Sequence, residues 1–311
     1  MNMKKVGTAY LAPEGYEKQL LAEIDGVVEH YGRLILTDQP PQQAFWAQNI
    51  WFEPFIESFE SISDAANILK GLQRNWALFP HLEHRRAALI KDKLPYMSGK
   101  PVRFPSKCPE SPLGSWTLLD KNTLLASAHC SSTYPNGEIL FEECKEGPPS
   151  RAYLKLWEAL TLMGTIPSPG QKCLEIGSSP GGWTWVLATL GTDVISVDKA
   201  PLAPEIAAMP GVHHKIGNAF AMTPAVVGAV DWIFSDVACY PEKLLEWVTL
   251  WLQSGLCKNF ICTLKFQGDN NYGVVREFMK IPGSRILHLH NNKHELTWIL
   301  KNELSQGTSH R

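Results

Sequence analysis

The stretch Cys173-Leu174-Glu175-Ile176-Gly177-Ser178-Ser179-Pro180-Gly181-Gly182-Trp183 decides the fold of this chain. It begins as a mostly apolar run, which predicts a buried strand, and continues as a glycine-rich turn that leads into a helix. Glycine has no Cβ and tolerates positive φ, so the backbone of such a turn can lie close to a bulky ligand. The first N–H groups of the following helix have no partner within the helix and can donate to that ligand. The stretch therefore predicts a binding site at the end of a strand.

An acidic residue follows the next apolar run. Asp198 comes directly after residues 193–197, and a carboxylate at that place can bind both hydroxyls of a ribose. The turn and the acid together indicate a site for a nucleoside-containing cofactor, whereas the turn alone also fits a tight strand–helix connection without a ligand. The sequence Pro180-Gly181-Gly182-Trp183 in this turn favours S-adenosylmethionine over a dinucleotide as the ligand, so an NAD-dependent enzyme is the weaker alternative.

Strands and helices alternate from Ser150 onward. This order predicts a parallel, doubly wound α/β sheet with helices on both faces. Ligands of such sheets bind beyond the carboxyl ends of the strands, where Asp198, Asp236 and Lys265 fall. The predicted strands are 172–176, 193–197, 212–216, 230–235, 259–265, 284–289 and 294–300, and the predicted helices are 150–163, 182–190, 241–252 and 271–280.

The length and composition are typical of a globular protein with two domains. The chain has 311 residues, of which 44% are hydrophobic and 19% are charged. No apolar run approaches the roughly 18 residues that span a bilayer. Pro13 and Glu14 interrupt the N-terminal segment, so we expect neither a membrane span nor a signal peptide. The seven cysteines form no Cys-x-x-Cys pair, which argues against a zinc site and a disulfide framework and favours the cytosol.

The N-terminal half of the sequence predicts a small α+β unit. We expect a helix within 13–24 and short strands within 27–37. A second helix is predicted to start at Ser63-Asp64, which would provide the N-cap, and to run toward Ala77. Residues 95–114 are rich in proline and glycine and predict irregular chain.

Two hairpins are predicted after this irregular segment. The first lies within 118–126, and the second lies within 134–140, where Asn136-Gly137 is a strong turn signal. Gly147-Pro148-Pro149 then interrupts the chain. We place the boundary between the two domains there.

Positive charge concentrates within residues 70–107. This segment has nine Lys and Arg against two Asp and Glu, whereas residues 1–69 have four against ten and the whole chain has a net charge of −2. A local basic surface is what phosphate binding requires, whatever the total charge. Our candidates for contacts with RNA phosphates are Arg85, Arg86, Lys91 and Lys93. A solvated surface without a ligand is the alternative.

Four charged residues stand on or beside apolar stretches of the second half: Lys155, Asp236, Lys265 and Glu295. A lysine at the end of a buried strand is costly unless it is paired. Its neighbours can shift its pKa far enough for it to accept a proton. Four unrelated surface charges are the alternative interpretation.

The motifs occur in the order Ser150-Arg151-Ala152-Tyr153-x-Lys155, Gly177-x-x-Pro180-Gly181-Gly182-Trp183, Ser235-Asp236, Leu264-Lys265 and Glu295-x-Thr297. This order resembles the FtsJ-type RNA ribose 2′-O-methyltransferases, and in particular the RlmM-type cytidine 2′-O-methyltransferases of 23S ribosomal RNA. The resemblance covers residues 148–301. It implies a Rossmann-like methyltransferase domain over 148–305, with a mostly parallel seven-stranded sheet. It also implies an N-terminal α+β region of THUMP- or ferredoxin-like fold over 1–147 that recognises RNA, and a flexible tail over 306–311.

The resemblance also implies a role for each of the four charged residues. Lys265 would be the base, or the cation that lowers the pKa of the ribose hydroxyl. Asp236 and Lys155 would orient the hydroxyl and the base, and Glu295 would fix the charge and position of either lysine. The 2′-oxygen would attack the sulfonium methyl in line, so that proximity and alignment supply much of the acceleration and no metal is needed.

The cofactor implied by the resemblance is S-adenosylmethionine. The family commonly has Asp at the position of Asn218, whose side chain can still bond to an adenine edge. Trp183 is a candidate for shaping the pocket, whereas Trp185 is expected in the core. The residues implied in cofactor binding are Gly177, Ser178, Ser179, Pro180, Gly181, Gly182, Trp183, Asp198, Asn218 and Asp236.

We therefore expect a cytosolic RNA 2′-O-ribose methyltransferase that uses S-adenosylmethionine and acts on 23S ribosomal RNA. One alternative is a methyltransferase of the same fold that acts on a protein or a small molecule. Another is an RNA-binding protein that has kept the fold without catalysis. The complete set of four charged residues argues against the latter, because a protein without catalysis has no chemical need for it.

Overall fold

The computed structural model describes residues 4–266 and 272–301. The chain divides into two compact units, Met1–Glu142 and Glu143–Arg311. The predicted domain limits of 1–147 and 148–305 stay a prediction, and the predicted tail, 306–311, lies outside the described residues. No helix within the described part of the chain is long and apolar enough to cross a membrane.

The N-terminal unit has an α+β fold with two five-stranded sheets, as expected for its class. One sheet has the order β1-β6-β9-β8-β7 and is antiparallel except for the pair β7–β8, and the other has the antiparallel order β10-β5-β2-β4-β3. Its elements are β1 (Lys4–Lys5), β2 (Thr8–Leu11), α1 (Glu17–Leu21), β3 (Val27–Tyr31), β4 (Leu34–Thr37), β5 (Asn49–Phe52), β6 (Phe55–Ser58), α2 (Ile62–Leu72), β7 (Trp76–Leu78), α3 (His84–Lys91), β8 (Gly114–Asp120), β9 (Thr123–Ser127) and β10 (His129–Cys130).

Helix α2 differs from the prediction at both ends. Its N-cap is Ser61 rather than Ser63, because the Ser61 hydroxyl accepts a hydrogen bond from the backbone N–H of Asp64 at 3.1 Å. The helix stops at Leu72, and the chain becomes strand β7 where we had predicted helix toward Ala77. Trp76 is buried in that strand, so the tertiary packing of one large ring overrides the helical pattern. Helix α3 was not predicted.

The first predicted hairpin is present as β8 and β9, but the second, at 134–140, is wrong. Asn136 and Gly137 do adopt the positive φ values of a tight turn, 55° and 78°. No strands flank these two residues, because the segment forms hydrogen bonds with distant parts of the N-terminal unit instead. The side-chain amide of Asn136 donates to the Leu78 carbonyl at 3.3 Å, and the backbone carbonyl of Asn136 accepts from Gln48 Nε2 at 2.9 Å.

The C-terminal unit contains the predicted doubly wound sheet of seven strands. The order is β13-β12-β11-β14-β15-β17-β16, and all pairs are parallel except those of β17 with β15 and β16. The elements are α4 (Tyr153–Met163), β11 (Lys172–Ile176), α5 (Gly182–Thr189), β12 (Asp193–Asp198), α6 (Pro204–Ala207), β13 (Val212–Ile216), α7 (Pro224–Val227), β14 (Trp232–Ser235), α8 (Pro241–Ser254), β15 (Asn259–Lys265), α9 (Tyr272–Met279), β16 (Ser284–Leu287) and β17 (Glu295–Lys301). The prediction of a seven-stranded, mostly parallel sheet is confirmed.

The strand order places a crevice beside β11. The chain passes from β11 to β12 on one side, whereas β14 lies on the other side. Connections that leave in opposite directions open a crevice beyond the carboxyl ends of the two central strands. Helix α8 covers the sheet with one apolar face, on which Leu244, Trp247, Val248 and Trp251 are buried at helical spacing. The sheet and its helices thus fix the backbone around this crevice.

Candidate active site

A cavity of about 540 Å³ opens at the carboxyl edge of the sheet. Five of the residues predicted for cofactor binding line it: Gly177, Ser179, Asp198, Asn218 and Asp236. They follow four different strands, and each lies where its strand ends. The volume lies within the range of about 300–1,000 Å³ that small-molecule sites usually have.

The glycine-rich turn needs glycine at its first position. Gly177 has a φ of +77°, and a Cβ built on it would lie 2.4 Å from the Cα of Val237. The end of β11 therefore contacts the chain after β14 backbone to backbone. Only a residue without a side chain permits this approach.

The carboxylate of Asp198 is held in a fixed position at the cavity wall. Its Oδ2 accepts from the backbone N–H of Ser179 at 3.0 Å, and its Oδ1 accepts from that of Ala200 at 3.0 Å. A carboxylate has about four lone pairs in total, so these two bonds leave acceptor capacity for ribose hydroxyls. Asn218 is also fixed, because its Oδ1 accepts from the Phe220 N–H at 3.1 Å.

The four charged residues singled out by the sequence converge around Asp236. The ammonium of Lys155 lies 2.9 Å from Asp236 Oδ2 and 3.0 Å from Glu295 Oε1. The ammonium of Lys265 lies 3.0 Å from Asp236 Oδ1 and also donates to the Asp236 carbonyl at 2.6 Å. Lys265 and Glu295 face each other in the β15–β17 register, but it is Lys155 that Glu295 pairs with.

The cluster has a cavity side and a buried side. Asp236 and Lys265 line the cavity, and 26% of the Lys265 side chain is exposed. Lys155 and Glu295 lie behind them, with side chains only 11% and 10% exposed. A group that meets a substrate must be reached from the cavity, which distinguishes Lys265 from Lys155.

Two neighbouring carboxylates determine the charge of Lys155. Burial alone lowers the pKa of Lys155, but the adjacent carboxylates of Asp236 and Glu295 outweigh it, so this pKa lies above its ordinary value. Lys155 therefore stays a cation at neutral pH. The ring of Trp183 supports this charge, with Lys155 Nζ 5.9 Å from its centroid.

Several residues of the predicted cofactor set do not line the cavity: Ser178, Pro180, Gly181, Gly182 and Trp183. Trp183 is 2% exposed, and its Nε1 donates to the Ala152 carbonyl at 2.9 Å, so the ring is part of the core. Trp185, which was expected in the core, is partly exposed and packs against Tyr153 and Trp157. Spacing alone does not tell which tryptophan of a helix points inward.

The cavity wall also contains residues that the sequence analysis missed, among them Lys199, Phe220, Tyr240 and Lys243. The Lys243 ammonium lies 4.6 Å from the centre of the Phe220 ring, a cation–π contact between two separate segments. Tyr240 is 61% exposed. The available signal was their position one to eight residues after a strand end, the same signal that identified Asp198.

Two carboxyl groups in the interior have strongly altered acidity. Glu175 on β11 accepts from the Thr184 hydroxyl at 2.6 Å, and burial raises the pKa of Glu175 to about 8. Glu158 on α4 is 1% exposed, and burial raises the pKa of Glu158 to about 7 although three N–H groups donate to it. Neither residue lines the cavity.

The candidate RNA contacts lie on and just after helix α3 of the N-terminal unit. Arg85, Lys91 and Lys93 are exposed. Arg86 is partly buried, its guanidinium lies 5.3 Å from the centre of the Phe59 ring, and it donates to Asn122 Oδ1 at 3.4 Å. The guanidinium of Arg86 thus makes contacts within the N-terminal unit, unlike the three exposed cations. Among the residues that the structure describes, no group of three or more His, Cys, Asp and Glu could hold a metal ion.

Comparisons with known proteins identify a family and relatives to which the chain is similar. A family model described as FtsJ-like methyltransferase matches residues 148–311. Ribosomal RNA large subunit methyltransferase M of Halorhodospira halophila is 34% identical over 157 residues, which are 48% of this chain and 46% of that protein. The protein of the same name from Xanthomonas campestris pv. campestris is 34% identical over 224 residues, 69% of this chain and 60% of that protein. The chain thus spans about half of the length of these curated relatives. Among solved structures, Aeropyrum pernix fibrillarin with natively bound S-adenosyl-L-methionine is 15% identical, with a TM-score of 0.36 and coverage of 63% of this chain and 85% of that chain.

Proposed function

Because the chain belongs to the FtsJ-like methyltransferase family, we propose that it methylates the ribose 2′-oxygen of a nucleotide in 23S ribosomal RNA, with S-adenosylmethionine as the methyl donor. The observation that carries this proposal is the convergence of Lys155, Asp236, Lys265 and Glu295 at the rim of the cavity. The relatives named ribosomal RNA large subunit methyltransferase M support the choice of substrate. Such a substrate would place the protein in the cytosol.

The cavity residues fit an adenosine-containing cofactor. Because Gly177 has no side chain, the turn packs directly against the backbone of Val237 at the cavity wall, where Asp198 offers carboxylate oxygens. We assign the ribose of the cofactor to Asp198 and its adenine to the region of Asn218. When bound, S-adenosylmethionine supplies a methyl group activated by the positive sulfur.

Lys265 is the residue that we assign to the substrate hydroxyl. It reaches the cavity, and its ammonium is held by two oxygen atoms of Asp236. In this position Lys265 accepts the hydroxyl proton or stabilises the developing alkoxide as a cation. Lys155 keeps its proton, and its role is to hold Asp236 from the buried side. Glu295 balances the charge of Lys155.

The decisive test is methyl transfer by the full chain from labelled S-adenosylmethionine, with large-subunit RNA and a protein extract as separate acceptors. We expect label in RNA and its loss in Lys265→Ala, while calorimetry shows that this variant still binds the cofactor. Lys258→Ala is the matched control, since Lys258 is an exposed lysine just before the other end of β15. Activity in Lys265→Ala would remove Lys265 from its role. Label in protein alone would favour the same fold with another substrate, and cofactor binding without transfer to any acceptor would favour a protein without catalysis.

We further propose that the N-terminal unit positions the RNA through its exposed cations. Arg85, Lys91 and Lys93 carry three charges into solvent from one short segment. Binding that releases counterions weakens with salt, and its slope falls by about one for each phosphate contact removed. The triple alanine variant should therefore reduce the salt slope by about 2 to 3. An unchanged slope would show that RNA binds elsewhere.

A further inference from the structure

Helix α4 contacts the start of β17 and the segment just before it, and the cluster of four charges accounts for only the first of these contacts. The first is the ion pair of Lys155 with Glu295. The second lies one turn further along the helix, at Glu158. Its carboxylate accepts from the backbone N–H groups of His290 and Asn291 at 2.7 and 3.2 Å, and from the Asn291 side chain at 3.1 Å.

The segment that Glu158 holds leads directly into Glu295. Asn292 follows Asn291, and its side-chain amide donates to the Glu295 carbonyl at 3.2 Å and to the Thr297 hydroxyl at 3.1 Å. The backbone N–H of Glu295 donates to the Lys293 carbonyl at 2.8 Å. Residues 290–293 are therefore tied by hydrogen bonds to Glu158 at their start and to Glu295 at their end.

Burying the carboxyl group of Glu158 costs free energy, which argues that this residue has a specific role. Glu158 is 1% exposed, and a buried carboxylate is unfavourable unless hydrogen bonds compensate for the loss of water. An apolar residue would suit the packing of α4, whose neighbouring residues Trp157 and Ala159 are buried. Within the described part of the chain, these three N–H groups bond to Glu158, which therefore anchors the start of residues 290–293.

We propose that Glu158 is a positioning residue of the active site: it holds residues 290–293 so that Glu295 stays within ion-pair distance of Lys155. Lys155 in turn holds Asp236, which orients Lys265 toward the cavity. Glu158 acts only through Glu295 and touches neither substrate nor cofactor. The proposal rests on the proposed function for its effect on catalysis, but its structural part is independent of it.

The structural part is tested by competitive acetylation of lysines in the full chain, read by mass spectrometry. Lys155 is buried and charged, so it reacts slowly in the wild type compared with the exposed Lys258. In Glu158→Gln, an NH2 group replaces one carboxylate oxygen, so at least one of the three N–H groups faces a donor instead of an acceptor. We expect the acetylation of Lys155 relative to Lys258 to rise at least fivefold. An unchanged ratio would overturn the proposal.

Thr161→Val is the matched control for a general loss of stability. Thr161 is also buried on α4, and its hydroxyl donates to the Trp157 carbonyl of its own helix at 2.7 Å. This variant should lower the melting temperature without raising the acetylation of Lys155. If Thr161→Val exposes Lys155 as much as Glu158→Gln does, the effect is one of helix stability and the proposal fails.

The catalytic part is tested by a double-mutant cycle with methyl transfer as readout. Glu158→Gln should lower kcat about tenfold and leave KM for S-adenosylmethionine unchanged, because Asp198 and Asn218, which we assign to the cofactor, are not part of the route through Glu295. In a Glu295→Gln background, Glu158→Gln should lower kcat no further, because the carboxylate through which Glu158 is proposed to act is already absent. If the reductions in kcat caused by the two substitutions multiply in the double variant, Glu158 does not act through Glu295. If the wild type transfers no methyl group at all, the proposed function fails while the acetylation result still decides on the positioning role.

Discussion

Replacing Lys155 by methionine tests the charge arrangement that underlies the site. The substitution keeps the length of the side chain but removes a cation that lies 2.9–3.0 Å from oxygens of two carboxylates. Asp236 would still have Lys265 at 3.0 Å, whereas Glu295, with a side chain 10% exposed, would lose its charged partner. Breaking one side of a buried ion pair costs about 3–5 kcal/mol. For a unit of this size, 1 kcal/mol corresponds to about 2–4 °C, so we expect the melting temperature to fall by roughly 10 °C.

The double variant Lys155→Met/Glu295→Gln isolates the pair itself. Because the attraction within a buried ion pair is largely offset by the loss of water, neutralising both partners should recover most of the lost stability. We expect a coupling energy of about 2–4 kcal/mol from thermal melts of the wild type, both single variants and the double variant.

The result that would refute this reasoning is additivity. If the double variant loses as much as the two single variants together, Lys155 and Glu295 do not stabilise each other. A Lys155→Met variant that melts within 2 °C of the wild type would likewise show that the cluster is too solvated for the expected cost.

Three further predictions concern the cavity and the sheet beneath it. Asp198→Ala should weaken binding of S-adenosylmethionine at least tenfold in calorimetry, and affinity like that of the wild type would exclude the assigned ribose contact. Gly177→Ala should destabilise the protein by about 2–3 kcal/mol in urea titrations, because it adds a positive-φ penalty to an overlap with Val237; an unchanged midpoint would contradict this. The raised pKa of Glu175 makes the folded state bind its proton more tightly, so its stabilising effect is complete below about pH 4.5 and is lost as pH rises through about 8. Melting temperature between pH 5 and 8 should therefore fall more steeply in the wild type than in Glu175→Gln, and parallel curves would refute the shift.

The sequence predicts the C-terminal unit well because its signals are local. A buried strand, a glycine turn and a helix start within eleven residues have few other structures available, and the residues after strand ends must meet at one edge of a parallel sheet. The same rule predicted that Asp198, Asp236 and Lys265 would lie together. It did not predict Lys243 and Phe220, whose contact depends on how α8 and a short turn after β13 approach each other.

The partner of Glu295 shows where sequence reasoning ends. Either lysine was a possible partner, and the strand register alone favours Lys265, which lies directly opposite. Glu295 pairs with Lys155 because α4 brings that side chain to the buried side of Asp236. The depth at which a helix packs against a sheet is a property of the whole core, so no local pattern contains it.

The N-terminal unit was harder to predict for a related reason. The Asn136-Gly137 turn forms as expected from its residues, but hairpin strands also require partners of matching register. The bonds of Asn136 to Leu78 and Gln48 join segments about 60 and 90 residues apart in the sequence. Such distant partners decide whether a turn joins two strands or ends in a loop.

The most direct measurement of the central claim is the position of the transferred methyl group. Large-subunit RNA labelled by the purified protein is hydrolysed in alkali, which requires a free 2′-hydroxyl to cleave the chain. If Lys265 directs the cofactor methyl to a ribose 2′-oxygen, the label will be found in an alkali-resistant dinucleotide. Label released only as mononucleotides would place the methyl on a base and contradict the account.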